Sequence, residues 1–236
     1  MELNKIYNEN VFDELSKIPD ESVDLIFTDI PYNVSRDNNF KTMKDRQGRN
    51  GIDFGEWDKD FDERQLKQLE RILKKGGSLF TFHAFEQYET IREVLDGLVV
   101  KDKIIWQKTN PMPRNRDRRW ISDIEIASWF VKKGDKWTFN RQDEKYEKSV
   151  LQYPAESGGG FKRYHPTQKN LKLVEYLIKI HSNEGDIVLD PFLGGGTTAI
   201  ACMNTSRNYI GFEIDEKYYH VANDRINSHI NTYKMK

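Results

Sequence analysis

Near its carboxyl end the chain reads Ile187-Val-Leu-Asp190-Pro-Phe192-Leu-Gly194-Gly195-Gly196-Thr197-Thr-Ala199. An apolar strand, a glycine turn and a helix start follow without a break. Gly194, Gly196 and Ala199 satisfy G-x-G-x-x-G/A, where glycines make a tight turn and let backbone approach a ligand. Glu213 closes the next predicted strand, Tyr209 to Glu213, and lies 19 residues beyond Gly194. An acid at about that distance accepts hydrogen bonds from ribose hydroxyls. The bland alternative is a helix-entry turn with no ligand, but it accounts for neither the flanking elements nor the acid. No Lys-Ser/Thr follows the glycines, which excludes a P-loop. A dinucleotide fold normally continues for several more strands, whereas about 23 residues follow Glu213. The rest of the sheet is expected from the N-terminal half, with the glycine turn late in a permuted order.

That half supplies the strands. Val23–Asp29, Ser78–Phe82, Lys103–Gln107 and Ile124–Val131 are short apolar runs rich in strand formers. Helices are expected at 62–74, capped by Asp62 and stopped by Gly76-Gly77, and at 85–95, 168–181, 197–204 and 215–230. Near-continuously apolar strands alternating with helices indicate a parallel sheet covered on both faces. The reading is one α/β, Rossmann-like domain over 1–236. The segments 33–58, 108–120 and 140–165 are expected to be irregular; a long polar stretch inside a compact domain is usually functional.

Composition narrows the class. A single cysteine, Cys202, forbids an internal disulfide, and five histidines make a Cys/His zinc site a poor reading. No apolar run approaches the roughly 20 residues needed to span a bilayer, and the start lacks an apolar signal-peptide centre. A cytoplasmic, reducing setting is expected, with no membrane partner. Net charge is −1, but it is unevenly placed. Residues 1–35 carry two basic side chains against eight acidic, whereas 36–49 carry five against two, 101–119 seven against two, and 161–172 four against none. Basic segments beside a candidate site point to a polyanion. The candidate residues for contact with such a polyanion are Arg36, Lys41, Lys44, Arg46, Arg49, Lys108, Arg114, Arg116, Arg118, Arg119, Lys162 and Arg163. Trp120 reads equally as a stacking residue or as core; Trp57, Trp106, Trp129 and Trp137 read as core.

A second motif, Thr28-Asp29-Ile30-Pro31-Tyr32-Asn33, ends the Val23–Asp29 strand. Ligands of open α/β sheets bind at such carboxyl ends. Pro31 biases Ile30 towards an extended backbone, which would aim the Asp29 carboxylate and the Ile30 carbonyl at one point, with Tyr32 as a flat face for a base. The chemistry fits an exocyclic amine, whose lone pair is delocalised into its ring. Two acceptors on its N–H groups favour a nitrogen whose lone pair can attack an electrophilic methyl. Positioning and electrostatics would carry most of the acceleration. A base inside a duplex must be flipped out to be reached.

The two motifs in this order resemble the permuted (β-class) S-adenosylmethionine-dependent DNA amino-methyltransferases. That family carries an Asp-Pro-Pro-Tyr-like motif first and an Asp-Pro-Phe-x-Gly-Ser-Gly-Thr motif last, with His-Pro-Thr-Gln-Lys-Pro before the latter. Here His165-Pro-Thr-Gln-Lys169-Asn170 stands in that place. Asp29-Ile-Pro-Tyr, Gly51-Ile-Asp-Phe-Gly-Glu-Trp-Asp and Asn110-Pro-Met-Pro-Arg-Asn also look like the small adenine-N6 enzymes of type II restriction–modification systems. The resemblance implies a seven-stranded, mostly parallel sheet with one antiparallel strand. It implies Asp29, Ile30, Pro31 and Tyr32 as catalytic. Asp190, Phe192, Gly194, Gly196 and Thr197 would wrap S-adenosylmethionine, Glu213 would hold its ribose, and Thr167, Gln168 and Lys169 would meet its methionine end, near Asp29. It further implies double-stranded DNA as substrate, adenine N6 as target, 33–58 as a mobile DNA-facing loop and 108–165 as a short target-recognition region. A cognate endonuclease and a homodimer are possible partners. Three positions depart from the pattern: Ile30, Gly195 and Asn170 replace proline, serine and proline. Cytosine-N4 methylation, or an RNA or protein amide as substrate, are the alternatives that product analysis separates.

Overall fold

A computed structural model describes residues 1–33, 61–111, 120–156 and 164–234. Most of the 33–58 loop lies outside them, as do Arg36, Lys41, Lys44, Arg46, Arg49, Arg114, Arg116, Arg118, Arg119, Lys162, Arg163 and Trp57. The strands are β1 (Lys5–Tyr7), β2 (Val23–Asp29), β3 (Leu73–His83), β4 (Leu98–Lys108), β5 (Ile124–Lys132), β6 (Val150–Tyr153), β7 (Ile187–Asp190) and β8 (Asn208–Phe212). The α-helices are α1 (Val11–Glu14), α2 (Leu69–Ile72), α3 (Tyr88–Val94), α4 (Leu171–His181), α5 (Thr197–Asn204) and α6 (Glu216–Lys234).

The strands form one sheet in the order β1-β8-β7-β2-β3-β5-β4-β6. Only β5 runs against its neighbours, β3 and β4. The expected single antiparallel strand is present, but the described residues hold eight strands rather than seven. Beyond the six strands read directly from the sequence stand two edge strands of three and four residues, β1 beside β8 and β6 beside β4. Each is too short to announce itself by alternation and is fixed by its ladder partner.

Successive residues of the central strands feed opposite layers. Leu25, Phe27, Phe80, Phe82 and Val188 join the core under α4, α5 and α6. Ile26, Leu79, Leu189 and Ile210 join the other, with Val11, Leu66, Leu69, Ile72 and Ile91. Phe27 stacks on Phe80 at 5.4 Å between ring centroids. This is the two-sided burial that the apolar runs require. Trp106 and Trp129 are core, as expected. Trp137 is not: it is 41% exposed, with the Lys101 ammonium 3.5 Å from its ring centroid. Trp120 is 94% exposed, which removes the core reading.

The expected helix at 62–74 is mostly a 3-10 turn, Glu63–Gln68, followed by the single turn α2. Asp62 does cap it, its carboxylate accepting from Arg64 N at 3.1 Å. The helix stops before Leu73 because Leu73 pairs with Val23 in the sheet, so the glycines at 76 and 77 lie within β3. From β2 the chain crosses to β3 on one side, and from β7 to β8 on the other. The crevice between β2 and β7 is therefore the topological switch point, where open α/β sheets bind ligands.

Candidate active site

The parallel strands bring Asp29 at the end of β2, Asp190 at the end of β7 and Glu213 just past β8 to one edge of the sheet. β5 runs backwards, so its first residues lie at this edge too, and β4 ends there with Lys108.

The catalytic-turn candidates are fixed from three sides. Tyr32 Oη donates to Asp29 Oδ1 at 2.7 Å. The Lys169 ammonium donates to Asp29 Oδ2. Buried Gln87 donates through Nε2 to the Pro31 carbonyl at 2.8 Å and to Glu63 Oε1 at 2.9 Å, and accepts from Ala84 N at 2.9 Å. Ile30 is buried, and its N–H donates to the Phe82 carbonyl at 3.3 Å. Asn33, at φ 53°, clamps Phe61: its side chain accepts from Phe61 N and donates to Phe61 O, both at 2.9 Å. Residues 33 and 61 thus meet although 28 positions separate them.

Burial pushes the Asp29 carboxyl up, against the Lys169 charge, and Glu125 adds to the rise. Burial disfavours the Lys169 charge, but Asp29 and Glu125 outweigh it and hold its pKa above the ordinary lysine value. Lys169 is 6% exposed and its Nζ lies 2.9 Å from Glu125 Oε2. Glu125, inconspicuous in the sequence, also accepts from Lys108 Nζ at 2.7 Å. Lys108, expected to meet phosphate, is thus 17% exposed and spends its charge on Glu125.

The glycine turn is pinned by the carboxylates at the ends of the neighbouring strands. Asp190 is buried; its Oδ1 accepts from Phe192 N at 3.1 Å and its Oδ2 from Thr198 Oγ1 at 2.6 Å. Glu213 Oε2 accepts from Gly194 N at 2.8 Å and Oε1 from Asp215 N at 2.9 Å. Burial pushes both carboxyls up to about 7. Gly194 and Gly196 have φ of 55° and 78°, the left-handed region that favours glycine. Their missing side chains also make room for protein: a Cβ at 194 would lie 3.3 Å from the His165 ring, and one at 196 would lie 3.3 Å from Ala222 Cβ. At Gly195 a Cβ would come within 3.0 Å of Tyr164 Cβ, so a serine there would push on Tyr164.

The 164–169 segment is thereby seated on the glycine turn. His165 packs across Tyr218 at 4.3 Å and its Nδ1 lies 3.1 Å from Thr167 Oγ1, a structural placement. Gln168 accepts from Tyr164 N at 2.8 Å and donates to Glu156. Of the three, Lys169 alone reaches Asp29. Thr197 Oγ1 accepts from Arg225 Nη1 at 2.9 Å. Phe192 meets Phe61 at 5.2 Å and Phe12 at 6.1 Å, joining the glycine-turn segment to Phe61, the residue that Asn33 clamps.

Comparison with known proteins agrees with this layout. Residues 23–224 match the N6_N4_Mtase family, described as DNA methylase. The chain is 35% identical to the type II methyltransferase M.HinfI of Haemophilus influenzae, over 95% of this chain and 68% of that one. It is 30% identical to M.HpaI of Haemophilus parainfluenzae, over 95% and 74%. Among solved structures it is similar to M1.HpyAVI in complex with S-adenosylmethionine, at TM-score 0.73 and 36% identity, covering 94% of this chain and 98% of that one. The cytosine-N4-specific PvuII DNA methyltransferase shares the fold at TM-score 0.71 and 20% identity, over 96% and 91%. Among the described residues no helix is long and apolar enough to cross a membrane. A match across most of the chain, with the Asp29 turn and the glycine turn meeting at one sheet edge, makes this protein a member of the N6/N4 DNA methylase family, an S-adenosylmethionine-dependent DNA methyltransferase.

Proposed function

We propose that the chain methylates the N6 amine of an adenine flipped out of double-stranded DNA, with the permuted motif order of the β-class. One observation carries the reading. The Asp29 carboxylate lies at the switch point, in a rigid turn, with the glycine turn and Glu213 on the neighbouring strands.

The residues present fit the cofactor. A buried Glu213 carboxylate suits hydroxyl donors, the Phe192 ring suits a purine face, and the Asp29–Lys169 pair offers both charges to an amino acid end. S-adenosylmethionine supplies an electrophilic methyl when bound. Glu213 holds the ribose, Asp190, Phe192 and residues 194–197 shape the wall, and Thr167 to Lys169 close the methionine end. Asp29 and the Ile30 carbonyl accept the two N–H groups of the amine and orient its lone pair. Tyr32 stacks on the base while its hydroxyl steadies Asp29. An aspartate at position 29 favours adenine over cytosine. The basic residues of 36–49, 114–119 and 162–163 take the phosphates, a role that Lys108, paired with Glu125, leaves to them.

The 108–165 region leaves room for a short or degenerate target sequence. We place the protein in the cytoplasm, in keeping with its buried, unpaired Cys202. A paired endonuclease and a homodimer belong to the same reading. The test is product analysis: labelled S-adenosylmethionine, unmethylated genomic DNA and separation of nucleosides. Label in N6-methyladenine supports the reading, and label in N4-methylcytosine transfers it to cytosine.

A further inference from the structure

Four charged side chains from four separate segments form one partly buried row beside the catalytic turn, with Lys169 the buried member. Asp29 ends β2, Lys169 precedes α4, Glu125 sits near the start of β5 and Lys108 ends β4. Their side chains are 20%, 6%, 19% and 17% exposed. The signs alternate, and the Lys169 ammonium stands between the two carboxylates, on Asp29 Oδ2 and 2.9 Å from Glu125 Oε2. Asp29 and Lys169 already neutralise one another. A second partly buried pair, Glu125 with Lys108, carries a desolvation cost that its attraction has to repay. Charge balance at Asp29 does not require that pair.

The arrangement does solve a problem that Asp29 has. Tyr32 holds one of its oxygens and Lys169 the other. An amine that needs an acceptor must displace or share one of them. If Asp29 were its only carboxylate, Lys169 would have to abandon a buried ion pair. With Glu125 within reach it exchanges one carboxylate for another. Resting on the reading that Asp29 accepts the substrate amine, we propose that Glu125 is a positioning residue of methyl transfer, which draws the Lys169 ammonium aside and leaves Asp29 an oxygen for the amine. Lys108 keeps Glu125 ionised: burial pushes that carboxyl up, but Lys169 and Lys108 together hold it below its ordinary value.

The test compares wild type, Glu125→Gln and Glu125→Asp in single-turnover methyl transfer across pH, with cofactor binding as the check of folding. Glu125→Gln keeps the shape and removes the charge. Its rate is expected to fall about tenfold or more, with the cofactor KM little changed. The groups facing Asp29 are Tyr32 on its own turn, Lys169 before α4, Glu125 on β5 and Asp190 on the adjacent β7. Of these, Glu125 raises Asp29, so its removal is expected to move the acid limb of the rate profile to lower pH. A merely structural role would leave that limb in place. Glu125→Asp keeps the charge and is expected to keep the limb while losing part of the rate; it also carries the test if Glu125→Gln does not fold. In a Lys169→Met background, Glu125→Gln should cost little more, because the two act as a unit. A Glu125→Gln rate and acid limb equal to wild type would overturn the proposal alone. A wild-type chain that labels no DNA would overturn the reading beneath it, and is seen before any variant is compared.

Discussion

Replacing Glu213 by glutamine should make the free protein more stable and a worse enzyme. Burial raises the Glu213 carboxyl from its ordinary 4.5 to about 7. A carboxyl that binds its proton more tightly folded than unfolded stabilises the fold below pH 4.5. It loses that contribution as pH rises through 7. At pH 8 the ionised, buried carboxylate therefore costs about 3 kcal/mol relative to its neutral form. Glutamine mimics the neutral form and keeps an acceptor for Gly194 N, but its amide faces the Asp215 N–H donor, a loss of about 1 kcal/mol. The expected net gain at pH 8 is about 2 kcal/mol, or about 4–8 °C in Tm for a chain of this size. At pH 5 the gain should vanish. Cofactor affinity should fall about tenfold to a hundredfold, the worth of charge-assisted bonds to ribose hydroxyls. Thermal unfolding of both proteins at pH 5 and 8, with cofactor titrations at each, measures all of this. A variant less stable than wild type at pH 8, or one with the same pH slope, would refute the burial argument. Unchanged cofactor affinity would refute the role given to Glu213.

The remaining expectations concern the supports of the two motifs. Gln87→Leu leaves the Pro31 carbonyl and the Ala84 N–H without their partner, at about 1–3 kcal/mol each; a lower Tm and a slower single-turnover rate at unchanged cofactor KM are expected. Gly196→Ala forces a side chain into φ 78° against Ala222, and should lower Tm by several degrees for about 1–2 kcal/mol of strain. Gly195→Ser restores the resembled family's usual residue yet should lower Tm in a thermal melt, because its Cβ would lie 3.0 Å from Tyr164 Cβ and 3.2 Å from His165 Cβ. Asn33→Ala removes both hydrogen bonds to Phe61 and should raise the KM for DNA more than that for the cofactor.

What could be read from the sequence was what is local in the chain. The run from Ile187 to Ala199 carries its strand, turn and helix start within thirteen consecutive residues, and α5 spans the expected 197–204. The Asp62 cap was legible for the same reason. The edge strands were not, because what makes Lys5–Tyr7 a strand is Ile210 to Phe212, about 200 residues away. The helix expected at 62–74 is cut short by the pairing of Leu73 with Val23, a tertiary contact that overrides a good helical face. Glu125 was invisible on similar grounds. It stands in an ordinary strand, and only the reversed direction of β5 delivers its carboxylate to Lys169. Lys108 looked like one of a basic series until the fold gave it a buried partner. The glycines were recognised for a ligand, whereas part of what they accommodate is the His165 ring and α6.

The central claim is that Asp29 holds the amine that receives the methyl group. Its most direct test is single-turnover transfer from labelled S-adenosylmethionine to unmethylated duplex DNA, by wild type and Asp29→Ala side by side, with cofactor binding measured on both. The account predicts label in N6-methyladenine from wild type, and loss of transfer in the variant even at cofactor concentrations that saturate it. An Asp29→Ala protein that still methylates adenine at the wild-type rate would contradict it.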